Sequence, residues 1–192
     1  MFLDTGEIGI GMAAGFLSFI LVAGVLKAGR RVERHPLDRV LPFSSFVKLS
    51  ALILFLAFLE EAFFRWGLLG QGSRLVGLIP AFFLSTGLFA LSHRPNGRLH
   101  YVAWLNLLLV GMELGLIYLW WGLWVAAAAH AGWNLAEWGL GFTVSGEKTR
   151  KYLPSPALRV VPGEPFGPEA HWATTLVVAL ALAVTQWIHL PF

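Results

Sequence analysis

The chain has no cysteine. A disulfide framework and a thiolate metal centre are therefore excluded, and the redox compartment leaves no trace in the sequence. Charge is also scarce. Only 13% of the 192 residues are Asp, Glu, Lys or Arg, about half the ~25% usual in soluble domains. Hydrophobic residues make up 57%, with nine Trp and fifteen Phe. That balance leaves too little polar surface for a water-soluble globule. It argues against a cytosolic enzyme, a nucleic-acid binder and a disordered chain. The length suits one domain, a single membrane domain over residues 1–192. Lys plus Arg number 14 against 11 Asp plus Glu, giving a net charge of +3 and a pI near 9.6. Where those charges lie decides what they mean.

Long apolar runs fill the rest. A membrane-spanning helix needs about 20 mostly apolar residues. Runs at 8–26, 46–69, 78–92, 101–119, 121–140 and 172–190 meet or approach that length. They predict an all-α fold, a polytopic transmembrane helical bundle of about six spans. The first run has no basic start, since Asp4 and Glu7 precede it, and it is too long for a typical signal-peptide core. It reads as a retained helix. The segment 143–170 is polar and carries Pro154, Pro156, Pro162, Pro165 and Pro168, so it is not helical throughout.

The basic residues set the orientation. Lys27, Arg30, Arg31, Arg34, Arg39 and Lys48 lie between the first two runs. Arg94 and Arg98 lie between the third and fourth, and Lys148, Arg150, Lys151 and Arg159 between the fifth and sixth. With six spans, these loops share the cytoplasmic side and both termini lie outside, as in a plasma-membrane protein. The high pI is then an orientation signal and implies no nucleic-acid partner; the partner expected at this point is membrane lipid. Two small-residue pairs, Gly11 with Gly15 and Gly111 with Gly115, have the spacing that lets apolar helices approach closely. They read as packing inside the bundle.

The informative residues are polar ones inside apolar runs. An ionised side chain at the bilayer centre costs about 2.5–3.5 kcal/mol even on the lenient insertion scale. Glu60, Glu61 and Arg65 fall within six residues of the second run. They must face the interior, pair, or be protonated. Glu61 and Arg65 stand at i and i+4, on one helix face. Glu60 is rotated by about 100° and is free for another partner. His93 follows the third run. His130 and Asn134, again i and i+4, lie in the fifth. Together these residues supply a carboxylate, two imidazoles and an amide, the parts needed to activate a water and hold an oxyanion. Counted from the outer helix ends, Glu60 is about 15 Å deep, His93 about 22 Å and His130 about 13 Å. His93 is the outlier. Glu113 reads as a buried acid opposite a polar neighbour, and Glu137 as the end of a helix near water. His35, His100, His171 and His189 fall in loops or at span ends.

These residues form three motifs: EExxxR over 60–65, FxxxH over 89–93 and HxxxN over 130–134. In that order and spacing the stretch of about 46–140 resembles the CAAX prenyl protease and bacteriocin-processing family (CPBP, or Abi), which includes the type II CAAX prenyl endopeptidases. The run from Gly111 through Tyr118 and Gly122 to His130 is similar to a further block of that family. The resemblance implies an intramembrane endopeptidase in a helical bundle, with a hydrophobic or lipid-anchored peptide as its substrate partner. Glu60 and His93 would activate water, His130 and Asn134 would support the oxyanion, and Glu61 with Arg65 would organise the site. The family is often labelled metalloprotease. No HExxH helix motif is present, but Glu60, His93 and His130 could serve as a three-ligand site for a divalent metal such as zinc. Two other classes stay open at this level. One is a catalytically silent membrane protein, such as a bacteriocin-immunity or assembly factor, that uses the cluster for packing. The other is a transporter, although no inverted repeat is visible.

Overall fold

The computed structural model describes residues 5–35, 41–97, 99–146, 153, 157–161 and 166–189. Arg39, Arg98, Lys148, Arg150, Lys151, Pro154, Pro156, Pro162 and Pro165 lie outside them. The chain begins with α1 (Thr5–Ala28), which carries Glu7 in its first turn and Lys27 in its last, both favourable to the helix dipole. A short strand β1 (Val32–His35) follows. The second apolar run forms α2 (Phe43–Glu61), which continues without a break into a π-helical segment (Ala62–Gln71) and a short α3 (Ser73–Val76). Then come α4 (Leu78–Ser92), α5 (Tyr101–Trp121), α6 (Leu123–Gly139), strand β2 (Ala157–Val160) and α7 (Trp172–Ile188).

Among the described residues, three helical stretches are long and apolar enough to cross a membrane: Thr5–Ala28, Phe43–Val76 and Tyr101–Trp121. They coincide with the first, second and fourth runs read from the sequence. The other three, α4, α6 and α7, have 15, 17 and 17 residues. At 1.5 Å per residue they fall short of a ~30 Å hydrocarbon core. Leu52, Phe55, Leu56, Leu59, Phe63 and Trp66, along α2 and the π-helical segment, are all exposed. So continuous an apolar face is foreign to soluble monomers and suits contact with lipid. The chain is an integral membrane protein built as a helical bundle.

Both glycine pairs pack inside the bundle. A Cβ on Gly15 would strike the Ala129 carbonyl of α6, and one on Gly11 would come within 2.8 Å of the Val125 carbonyl. Gly132 of α6 answers from the other side against the backbone of Met12. Backbone-to-backbone approach of α1 and α6 therefore depends on all three lacking a side chain. Gly111 and Gly115 receive Thr86, Phe89 and Phe82 of α4 in the same way. Between α5 and α6 the chain reverses at a single residue, Gly122, with φ of 84°, a conformation that strains any other residue type.

The all-helical expectation needs one addition. β1 and β2 pair antiparallel, with Val32 opposite Val160 and Arg34 opposite Leu158. The ribbon joins the loop after α1 to the loop after α6. Val160 joins Phe19, Trp133 and Phe142 in a core where the Phe19 ring meets those of Trp133 and Phe142 edge-on at 5.2 and 5.8 Å.

Candidate active site

The site starts where α2 gives way to the π-helical segment. Glu61, the last residue of α2, and Arg65, in the π segment, have fully buried side chains and pair at 3.1 Å. Arg65 also donates from Nη2 to the Gly111 carbonyl of α5 at 3.2 Å. Its guanidinium lies 4.3 Å from the centre of the Phe89 ring, a cation–π contact that a desolvated site strengthens. Ser85 of α4 donates to the Phe64 carbonyl at 2.7 Å and ties the segment to its neighbour. Helix geometry had matched Glu61 to Arg65, and the two are so paired.

The second oxygen of Glu61 is not idle. It accepts from Nδ1 of His130 at 2.8 Å. That bond fixes the imidazole and turns Nε2 toward Glu60, whose Oε2 stands 4.0 Å away. Adjacent carboxylates thus flank opposite nitrogens of one ring. The ring is buried, while the Glu60 side chain is 38% exposed. Glu61 is engaged by both Arg65 and His130, whereas Oε2 of Glu60 has no hydrogen-bond partner.

His93 caps α4, and its Nδ1 lies 2.9 Å from the Phe89 carbonyl. A carbonyl accepts, so Nδ1 carries the proton and Nε2 is the basic nitrogen. The Phe89 ring separates the imidazoles, 4.8 Å from His93 and 5.9 Å from His130. His93 also lies within electrostatic reach of Glu60 and His130. The depth mismatch expected for His93 is absent. His93, His130 and Asn134 line one cavity of about 520 Å³. Glu60 reaches His130 from α2 and is not part of the cavity wall.

No group of three or more His, Asp or Glu side chains among the described residues is gathered as a metal ion requires. Glu60, His93 and His130 in this arrangement do not fit a three-ligand zinc site, and no step below passes through a metal.

The remaining polar residues sort as follows. Glu113 accepts a 2.7 Å hydrogen bond from Thr185, as a buried acid opposite a polar neighbour should. Glu137 overturns its expectation. It does not end α6 near water but is fully buried. Beyond residue 140, Phe142 packs with Trp133 and Ala136 of α6, and Leu153 and Ala157 with Trp138, an approach invisible in the local sequence. His100 and His171 cap α5 and α7 by accepting from Val102 and Ala173. His189 rests on Trp120 and Trp121.

Glu169 escaped sequence reasoning altogether. It sits in a 3-10 turn (Gly167–Ala170) before α7 and lines the same cavity as His93, His130 and Asn134. Burial pushes its carboxyl up to about 7, against the Ser145 hydrogen bond and the His130 charge, which favour ionisation, and with help from the negative charge of Glu60. One of three glutamates in a proline-rich loop, with Glu147 and Glu164, it carries no local signal. A hint lies in Asn106 of α5, an amide inside an apolar helix. It donates to the Glu169 and His171 carbonyls at 2.8 and 3.1 Å and so holds the turn in place.

No curated protein and no solved structure matches the chain. Residues 42–136 match the family model for type II CAAX prenyl endopeptidase Rce1-like proteins, a family of proteases. The matched stretch holds EExxxR, FxxxH and HxxxN, with Glu61, Arg65 and His130 joined in one buried network. Through these residues the chain is similar to the Rce1-like family of type II CAAX prenyl endopeptidases.

Proposed function

We propose that this protein hydrolyses a peptide bond in a membrane-associated or hydrophobic peptide, using a water activated by Glu60 and His93. The observation that carries this reading is the division of labour between adjacent carboxylates: Glu61 is locked by Arg65 and His130, while Glu60 keeps an unpartnered oxygen. A carboxylate with a bare oxygen beside a basic imidazole nitrogen can take a proton from water. His130 and Asn134, one turn apart on α6, face the cavity where a substrate carbonyl would polarise, and their donors would hold its oxyanion. The apolar cavity wall favours a hydrophobic substrate, and exclusion of bulk water strengthens each electrostatic contact.

The protein would sit in the plasma membrane with both termini outside. The clustering of basic residues favours this orientation, and the β1–β2 ribbon supports a common side for the loops after α1 and α6. The test is cleavage of a quenched-fluorescent peptide bearing an S-alkylated cysteine by protein purified in detergent. Glu60→Ala and His93→Ala should abolish turnover without loss of the folded bundle. Wild-type turnover by Glu60→Ala would overturn the assignment.

A further inference from the structure

The cavity that receives His93, His130 and Asn134 is also lined by Glu169, which comes from outside the matched stretch 42–136. Its position is built. Asn106 pins the turn from α5, and Thr174 donates to the Pro168 carbonyl at 2.7 Å. Ser145, held at φ of 50°, donates to Oε1 at 3.3 Å. The other oxygen, Oε2, is buried and has no partner, and the whole residue is only 8% exposed. An unsatisfied buried carboxyl oxygen is destabilising. Asn106, Thr174 and Ser145 nevertheless hold this one in a cavity wall.

Peptide hydrolysis needs two proton transfers. Water loses a proton when it attacks, and the departing amine must gain one. Glu60 meets His130 from α2 and stands outside the cavity wall, whereas Glu169 is in it. Resting on the hydrolase reading above, we propose that Glu169 is a further catalytic residue, the acid that protonates the leaving amine from its unpartnered Oε2.

The step balances as follows. The C–O bond forms as a water proton passes to Glu60, leaving a tetrahedral oxyanion held by His130 and Asn134. The C–N bond then breaks, and its electron pair takes the proton from Glu169. The proton on Glu60 passes to His130, whose Nε2 faces it, and from there through cavity water to the Glu169 carboxylate, so that one water and one amide become one acid and one amine. The charged and titratable groups around Glu169 suit this cycle. Glu137 lies beside it from α6, His130 also from α6, and Glu60 from α2. Burial, helped by the negative charge of Glu60, keeps a proton on Glu169 near neutrality, at a value of about 7, against the Ser145 hydrogen bond and the His130 charge.

The experiment compares two probes of one sequence on the full chain in detergent micelles. One is the quenched S-alkylated peptide, whose amine must be protonated. The other is the matching p-nitrophenyl ester, whose phenolate leaves without a proton. Glu169→Gln should lower kcat on the amide by about 100-fold or more and change ester turnover by less than about threefold. Glu169→Asp should restore part of the amide rate. Amide turnover by Glu169→Gln within about threefold of wild type, or equal loss on both probes, overturns the proposal. If Glu60→Gln is dead while Glu169→Gln is fully active, the proposal fails and the hydrolase reading stands. If the wild-type protein cleaves neither probe, or Glu60→Gln cleaves normally, both fail.

Discussion

Glu61 and His130, 69 residues apart in the chain, share a 2.8 Å hydrogen bond that is buried from solvent. The bond sets the imidazole's orientation and binds α6 to the end of α2. Arg65 completes the network with its own 3.1 Å contact to Glu61.

Removing one member of such a network leaves the others charged and dry. Glu61→Ala should destabilise the bundle by about 3–5 kcal/mol. The double variant Glu61→Leu with Arg65→Met should lose less, because it removes both charges together. Thermal unfolding in detergent measures the difference. A double variant less stable than Glu61→Ala would mean that the charge pair stabilises the bundle beyond its hydrogen bonds.

Glu60 separates chemistry from folding. Its side chain is 38% exposed and Oε2 has no hydrogen-bond partner. Glu60→Gln should leave stability within about 0.5 kcal/mol and lower peptide cleavage at least about 100-fold. Melting temperature and kcat, measured on the same preparation, check both halves.

Gly15 tests the crossing of α1 and α6. Its Cβ would overlap the Ala129 carbonyl, a rigid backbone atom. Gly15→Val should force the helices apart, losing about 3 kcal/mol or more by overpacking. Gly9, with open space around its Cβ position, supplies the control. Gly9→Ala should gain helix propensity, up to about 1 kcal/mol. Protease resistance of α1 in micelles reports both.

The pH dependence of stability follows from Glu169. Its folded-state value of about 7 lies above the ordinary 4.5. Between those values the folded protein holds a proton that the unfolded chain has released. The stability contribution is therefore fully present below about 4.5 and declines as pH rises through about 7, by about 3 kcal/mol at most. Melting curves from pH 4.5 to 8 should slope downward, and Glu169→Gln should flatten that slope. An identical slope in the variant would place the titration elsewhere.

Much of this was legible because apolar helices make polar residues conspicuous. The Glu61–Arg65 pair followed from i, i+4 spacing, and His130 with Asn134 from the same rule. Gly11 and Gly15 announced a close helix contact. His93 was harder, since counting rises from helix ends assumes equal starts and regular turns, and α2 runs into a π-helical segment instead. Glu137 and Glu169 were opaque for another reason. Their surroundings are made by a long-range fold-back, with Asn106 of α5 bonding to a turn 63 residues later. The β1–β2 ribbon pairs short strands across more than a hundred residues of intervening chain, beyond the reach of local periodicity.

The chamber borrows much of its lining from α1 and α7, through Ala14, Leu17, Leu21, Val177, Ala181 and Val184. Both helices lie outside the stretch that carries EExxxR, FxxxH and HxxxN. The three motifs are thus encoded apart from the part of the enclosure that these two helices supply. Drift in the outer helices can remodel what fits without disturbing the groups that attack it, which gives one scaffold room to acquire new clients.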